Sequence, residues 1–198
     1  SQLLRFTPVT DLEQCYTAAQ VLVDEGGFGN LERPFIYFTR YPHNLGLVYL
    51  LAGIFKLFGM LGWADRFAQA ALVCSLLFTV GLLASARLCR RLGGVQAQTR
   101  MLLMFAAFLP FLYCTTELYT DAFSLSFSSV IIWSFLKAKD AQSGKRCAGC
   151  ALLFGLAAFV GAQIRFTTII AAIACLIAAF FEKRFKLTAW LAAFLALF

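Results

Sequence analysis

The 198-residue sequence predicts an all-α fold, a polytopic bundle of transmembrane helices with an extracytoplasmic first loop and juxtamembrane helices. Three observations predict it. Hydrophobic residues make up 61% of the chain and charged ones only 14%, whereas a soluble domain is roughly half apolar and about a quarter charged. The apolar residues, 22 phenylalanines among them, fall in long runs. They do not alternate with polar ones as in a membrane β-barrel. The basic residues gather in short clusters between those runs, as they do in cytoplasmic loops. An ordinary soluble domain and a disordered chain are both excluded.

Residues 1–43 are polar and mixed. Within them a helix is expected from Asp11 to Asp24, with Leu12, Cys15, Tyr16, Ala19 and Val23 on one face. Thr10 and Glu13, three residues later, fit a capping box. Gly26, Gly27 and Gly29 end the helix, and Pro34 and Pro42 mark a loop. Residues 44–61 are apolar around a single Lys56. Residues 67–86 are a full-length span, since about 20 residues cross about 30 Å of hydrocarbon. Further spans are expected at 99–114, which contains Pro110, and at 122–136. The stretch 147–181 is interrupted only by Gln163, Arg165, Thr167 and Thr168, so it predicts helices 147–163 and 166–181 joined by a tight turn. A last run, 187–198, is still apolar at Phe198. With no initiator Met either, the expectation is one incomplete integral-membrane module cut from a longer protein at both ends.

The net charge of +7 resolves into three clusters. Arg87, Arg90, Arg91 and Arg100 form the first, Lys137, Lys139, Lys145 and Arg146 the second, and Lys183, Arg184 and Lys186 the third. No soluble domain offers a groove for nucleic acid, so the expected partners are membrane lipids. With the clusters in the cytoplasm, 67–86 runs inward, 99–114 outward, 122–136 inward, 147–163 outward and 166–181 inward. The loop 115–121, with Glu117 and Asp121, and the turn at Arg165 then lie outside. Two placements remain for 44–61. As a true span it makes residues 1–43 cytoplasmic; as a juxtamembrane or re-entrant helix it leaves them outside. A central lysine costs about 2.5–3.5 kcal/mol against a gain of roughly 0.3–0.6 for each Leu, Ile or Phe, which does not decide between them.

Catalytic equipment is sparse. Seven cysteines lie in or beside apolar runs, where cysteine behaves as a small hydrophobe. Cys147 and Cys150 form a C-x-x-C without the two further ligands that zinc needs. The single histidine, His43, is distant in sequence. No metal site and no cofactor are predicted. What remains is a set of acids and bases at one membrane face: Asp11, Glu13, Glu117 and Asp121 with Arg40, His43, Arg66 and Arg165. A carboxylate there can serve as general base toward a hydroxyl while the cations hold a phosphate leaving group. For any one of them a solvated loop charge is the plainer reading.

The run Tyr41-Pro42-His43-Asn44 followed by LGLVYLLAGIFKLFG resembles a signature of bacterial membrane glycosyltransferases of the GT-C fold. More narrowly it resembles glycosyltransferase family 39, the protein mannosyltransferase-like group that includes aminoarabinose transferases. Further pieces follow in the family's order. Arg66 opens the next helix, R-x-x-R-R-L-G closes it at Gly93, Pro110 precedes TELYTD, and GAQIRFTTII spans Gly161 to Ile170. The resemblance covers nearly the whole chain. It implies that 44–61 is a juxtamembrane helix at the outer face and that 1–43 is the first external loop. It implies an inverting transfer from a polyprenyl-phosphate-linked sugar to an acceptor hydroxyl, without a metal. Asp11 matches the family's catalytic base. Arg66 and Arg165, then Arg40 and His43, would hold the lipid phosphate, and Glu13, Glu117 and Asp121 are possible acidic partners. The family's adjacent acids are here spaced D-x-E, which on a helix turns Glu13 about 200° from Asp11. The alternative function is a multi-pass transporter or lipid-linked sugar flippase. Such a protein is expected to carry mid-membrane charges and internal repeats, whereas the clear spans have almost no mid-helix charge and the acids concentrate at one face. An inactive assembly subunit is a third possibility.

Overall fold

The structure is a computed structural model that describes residues 11–28, 32–108 and 120–196, and of residues 32–35 and 120–122 the backbone alone. Its helices are α1 (Asp11–Glu25), α2 (Glu32–Arg40), α3 (Leu45–Met60), α4 (Arg66–Ala107), α5 (Thr120–Lys139), α6 (Gly144–Ile164), α7 (Ile169–Phe181) and α8 (Phe185–Ala196). Short 3-10 turns at Pro42–Asn44 and Phe166–Thr168 lead into α3 and α7. No strand occurs among the described residues, so the all-α membrane fold is as the sequence predicts. The stretches Pro42–Met60, Arg66–Ala107 and Gly144–Ile164 are long and apolar enough to cross a membrane. Thr10 and Pro110 lie outside the described residues.

Helix α4 is a hairpin. Its backbone leaves helical geometry at Gly94, with φ 75° and ψ −172°, a region essentially reserved for glycine. The rings of Phe78 and Phe105 lie 6.4 Å apart, whereas a straight helix at about 1.5 Å per residue would separate them by about 40 Å. The two arms therefore fold back on each other within the first basic cluster.

Contacts along the helices give their directions. Ser85 Oγ is 2.7 Å from Ser129 Oγ, and Arg91 donates to the Leu136 carbonyl at 3.0 Å. Gly81 lies so close to Ser126 that a Cβ would fall 2.5 Å from its Cα. The offset between partners is nearly constant, so the first arm of α4 runs parallel to α5. Likewise Thr168 Oγ1 donates to Ser124 Oγ at 3.4 Å and Lys139 pairs with Glu182 at 2.5 Å, making α7 parallel to α5. Helix α6 returns between them, capped by the Ser143 hydroxyl, which accepts from the Arg146 amide. Close approach depends on small residues here, as is usual between helices in lipid. The serines of α5 serve this packing, with Ser126, Ser129 and Ser134 buried.

Two apolar cores result. One joins α5, α6, α7 and α8 through Ile131, Phe135, Phe154, Ala172 and Leu191. The other packs Cys15, Ala18 and Ala19 of α1 and Phe38 of α2 on Leu47, Val48, Leu51 and Phe55 of α3, with Ala70, Phe123 and Ile164 beneath. The ends of the bundle differ in chemistry. At one end Arg91 pairs with Asp140 at 2.5 Å, and Arg184 donates to the Lys139 carbonyl at 2.8 Å, satisfying a helix terminus. At the other end stand α1, α2 and the turn that follows α6.

Candidate active site

Asp11 occupies the first turn of α1, where the helix dipole favours a carboxylate. Period-3.6 burial of Cys15, Ala18 and Ala19 fixes the face that α1 turns to α3. Tyr16 meets Phe55 edge-on at 5.4 Å. At its far end α1 is tied to the start of α4, where Arg66 grips Asp24 through two hydrogen bonds of 2.8 and 2.5 Å. That grip holds the Asp24 carboxyl below the usual carboxylate range.

The second wall comes from the turn into α3. Pro42 sits at the first position of its 3-10 turn, where its missing N–H is not needed. The turn exposes His43 and buries Asn44 to 8% exposure. The third wall is the end of α6. Arg165 is extended, with φ −149° and ψ 111°, and its amide donates to the Gly161 carbonyl at 2.7 Å. Helices α3 and α6 touch backbone to backbone, for a Cβ on Gly46 would lie 1.7 Å from the Gln163 carbonyl oxygen. Only glycine allows this approach.

Between these walls lies a cavity of about 310 Å³. Its polar lining is Asp11, His43, Asn44, Arg165 and Thr167; its apolar lining is Leu12, Cys15, Leu47, Ile164 and Phe166. One acid and two potential cations thus share a pocket with half its wall apolar, an arrangement suited to an amphipathic phosphate ester.

A polar chain holds the acid. The Tyr37 hydroxyl is hydrogen-bonded to the Asp11 carboxylate, and it accepts from Asn44 Nδ2 at 2.5 Å. Burial, then the bond to Asp11, pushes the Tyr37 phenol well above its ordinary range. The phenol therefore remains a donor toward Asp11 at any physiological pH. Cys15 lies below, its thiol directed at the Asn44 carbonyl at 3.9 Å. Burial, reinforced by the Asp11 charge, pushes this thiol up to about 12. Only the thiolate reacts with maleimides. Cys15 is thus expected to stay unmodified by N-ethylmaleimide at pH 8 in the folded protein and to react only on denaturation, as peptide mass spectrometry will read.

Of the residues singled out in the sequence, the structure brings Asp11, His43 and Arg165 together. Glu13 is exposed and outside the cavity lining. Arg40 is exposed at the end of α2 and does not line the cavity either. Arg66 is not at this cavity. Its pairing with Asp24 and its position 5.8 Å over the Phe55 ring set it beside a different one. Glu117 lies outside the described residues, and only the backbone of Asp121 is described, in α5. Sequence reasoning missed Tyr37 and Asn44. Asn44, a polar residue at the head of an apolar run, was a readable signal; Tyr37 had none. Among the described residues no group of three or more metal-ligating side chains gathers.

The fold is that of a polytopic helical membrane protein with a polar cavity at one end. The family model of the dolichyl-phosphate-mannose-protein mannosyltransferases matches residues 42–198, and the chain belongs to that family. Its members are membrane glycosyltransferases of the GT-C type that use lipid-linked sugar donors. His43, Asn44, Arg165 and Thr167 fall inside the matched stretch, while Asp11 and Tyr37 precede it. No curated protein and no solved structure gives a significant match. Membership in a transferase family displaces the transporter reading.

Proposed function

We propose that the protein transfers a sugar from a polyprenyl-phosphate donor to an acceptor hydroxyl at the extracytoplasmic face of the cell membrane, with Asp11 as general base. The observation that carries this reading is the convergence of Asp11, His43 and Arg165, distant in sequence, on one cavity. Asp11 takes the proton of the acceptor hydroxyl. The oxygen attacks the anomeric carbon as the bond from that carbon to the phosphate oxygen breaks, and the configuration inverts. Polyprenyl phosphate leaves with the bonding electron pair, its charge met by Arg165 and His43. Arg40, one turn from His43, is a candidate for guiding the phosphate in. Tyr37 and Asn44 orient the base. No step calls for a metal.

In this reading the basic clusters face the cytoplasm and α3 is a juxtamembrane helix at the outer surface. The parallel course of the first arm of α4, of α5 and of α7 supports it, because each then runs toward a basic cluster. The finer family placement, in the group with aminoarabinose transferases, is part of the same proposal. The test is transfer of labelled sugar by the purified full-length protein. Polyprenyl-phosphate mannose or aminoarabinose is expected to serve as donor and a nucleotide sugar is not; transfer from the nucleotide sugar alone would overturn the reading.

A further inference from the structure

A second cavity, of about 570 Å³, lies between the C-terminal ends of α1 and α3 and the start of α4. Its lining includes Val23, Phe55, Lys56, Trp63, Arg66 and Gln69. Three features set its chemistry. Gln69 is 1% exposed, and although its amide nitrogen donates to the Trp63 carbonyl, its Oε1 atom is buried without a hydrogen-bond partner. A buried acceptor left without a donor destabilises the fold, so a ligand that brings one is favoured there. Arg66 is engaged by Asp24, and the Asp65 carboxylate accepts from the Ala68 amide as the cap of α4. Lys56 has no ion-pair partner among the described residues and is exposed. Around these groups the wall is apolar and aromatic, and Phe58 stacks edge-on against Trp63 at 5.2 Å.

The cavity therefore asks for an anion, a hydroxyl donor and an apolar stem in one molecule. It also stands where α4 enters the membrane, where lysine and tryptophan meet headgroups. We propose that it is a binding site for the headgroup of an anionic glycerophospholipid of the phosphatidylglycerol type. The phosphate pairs with Lys56, a headgroup hydroxyl donates to Gln69 Oε1, and the first acyl carbons rest on Val23 and Phe55. This site is separate from the Asp11 cavity and stands whether or not Asp11 is the base. Its bound lipid would brace the α1–α3–α4 corner from outside.

Native mass spectrometry of the full-length protein released from detergent tests this. The probes are dioleoyl phosphatidylglycerol, dioleoyl phosphatidylmethanol, which lacks the headgroup hydroxyl, and dioleoyl phosphatidylcholine. Phosphatidylglycerol is expected to be retained most strongly. Lys56→Gln should weaken its retention about fivefold, the contribution of one basic side chain near an anionic surface. Gln69→Met should reduce phosphatidylglycerol to the level of phosphatidylmethanol and leave phosphatidylmethanol itself unchanged. Excess inorganic phosphate should not displace the lipid; displacement would mark a free-phosphate site. Equal retention of phosphatidylcholine, or unchanged retention in Lys56→Gln, would overturn the assignment. Lys56 is exposed, so its substitution does not threaten folding; an unchanged helical circular-dichroism spectrum checks this.

Discussion

Asp11→Asn in the full-length protein lowers the turnover of sugar transfer by about 10²–10⁴-fold, the usual contribution of a positioned general base. The amide is nearly the same size as the carboxylate. Its oxygen still accepts from the Tyr37 hydroxyl, so the geometry at the start of α1 is retained. What is lost is the capacity to take a proton. The expected signature is a fall in kcat with the donor KM nearly unchanged, since an interaction realised in the transition state has been removed. Glu13→Gln provides the contrast. Glu13 is exposed and outside the cavity, so its loss should change the rate by no more than a few fold. Initial rates with a radiolabelled lipid-linked donor distinguish the two. Comparable rates for Asp11→Asn and Glu13→Gln would remove Asp11 from the chemistry.

Gly46→Ala is the second large effect, and it acts through the scaffold. The new methyl group would lie 1.7 Å from the Gln163 carbonyl oxygen and 2.3 Å from the carbonyl carbon. Both are backbone atoms, so no rotamer change relieves the clash; α3 and α6 must separate. The cost is expected at or above the top of the roughly 1–3 kcal/mol range for overpacking. Separation also moves Leu47 away from Ile164 and Arg165, which line the same cavity, so transfer falls along with stability. Gly53→Ala is the control, because a Cβ there meets nothing within 4 Å. Replacing a mid-helix glycine with alanine is otherwise mildly favourable. Thermal unfolding in detergent should show a lower midpoint for Gly46→Ala and none for Gly53→Ala. Equal midpoints would mean that the helices do not touch there.

Much of the bundle could be read from hydropathy because lipid imposes a simple rule: polar backbone must be satisfied within each helix, so apolar runs become helices. The break between 147–163 and 166–181 was legible from Gln163 and Arg165, and it falls where α6 gives way to the turn at Phe166–Thr168. The hairpin of α4 was partly legible. The basic cluster marked a turn, yet only the backbone at Gly94 shows how tightly it is made. For the site, Arg165 is conspicuous as a charge between apolar runs and His43 as the single histidine, whereas Asp11, one acid of several in a mixed polar segment, was singled out by the family resemblance. Their convergence was not visible, since it depends on the Gly46–Gln163 contact between helices far apart in the chain. Arg66 shows the same limit from the other side. It resembles a site residue in type and order, but its partner Asp24 on α1 fixes it at another cavity. Tyr37 was illegible because a tyrosine in a mixed polar segment carries no mark until Asn44 and Asp11 meet it.

The outer-face mechanism requires the Asp11 cavity and the basic loops to lie on opposite sides of the membrane. Two epitope insertions in the full-length protein test this directly. One goes between Gly26 and Gly27, in the exposed bend after α1, and the other between Gln142 and Ser143, in the loop before α6. Intact cells should bind antibody through the first epitope, and the second should become accessible only after the membrane is permeabilised. If the first epitope is reached only after permeabilisation, Leu45–Met60 is a true span, Asp11 is cytoplasmic, and the outer-face mechanism is contradicted.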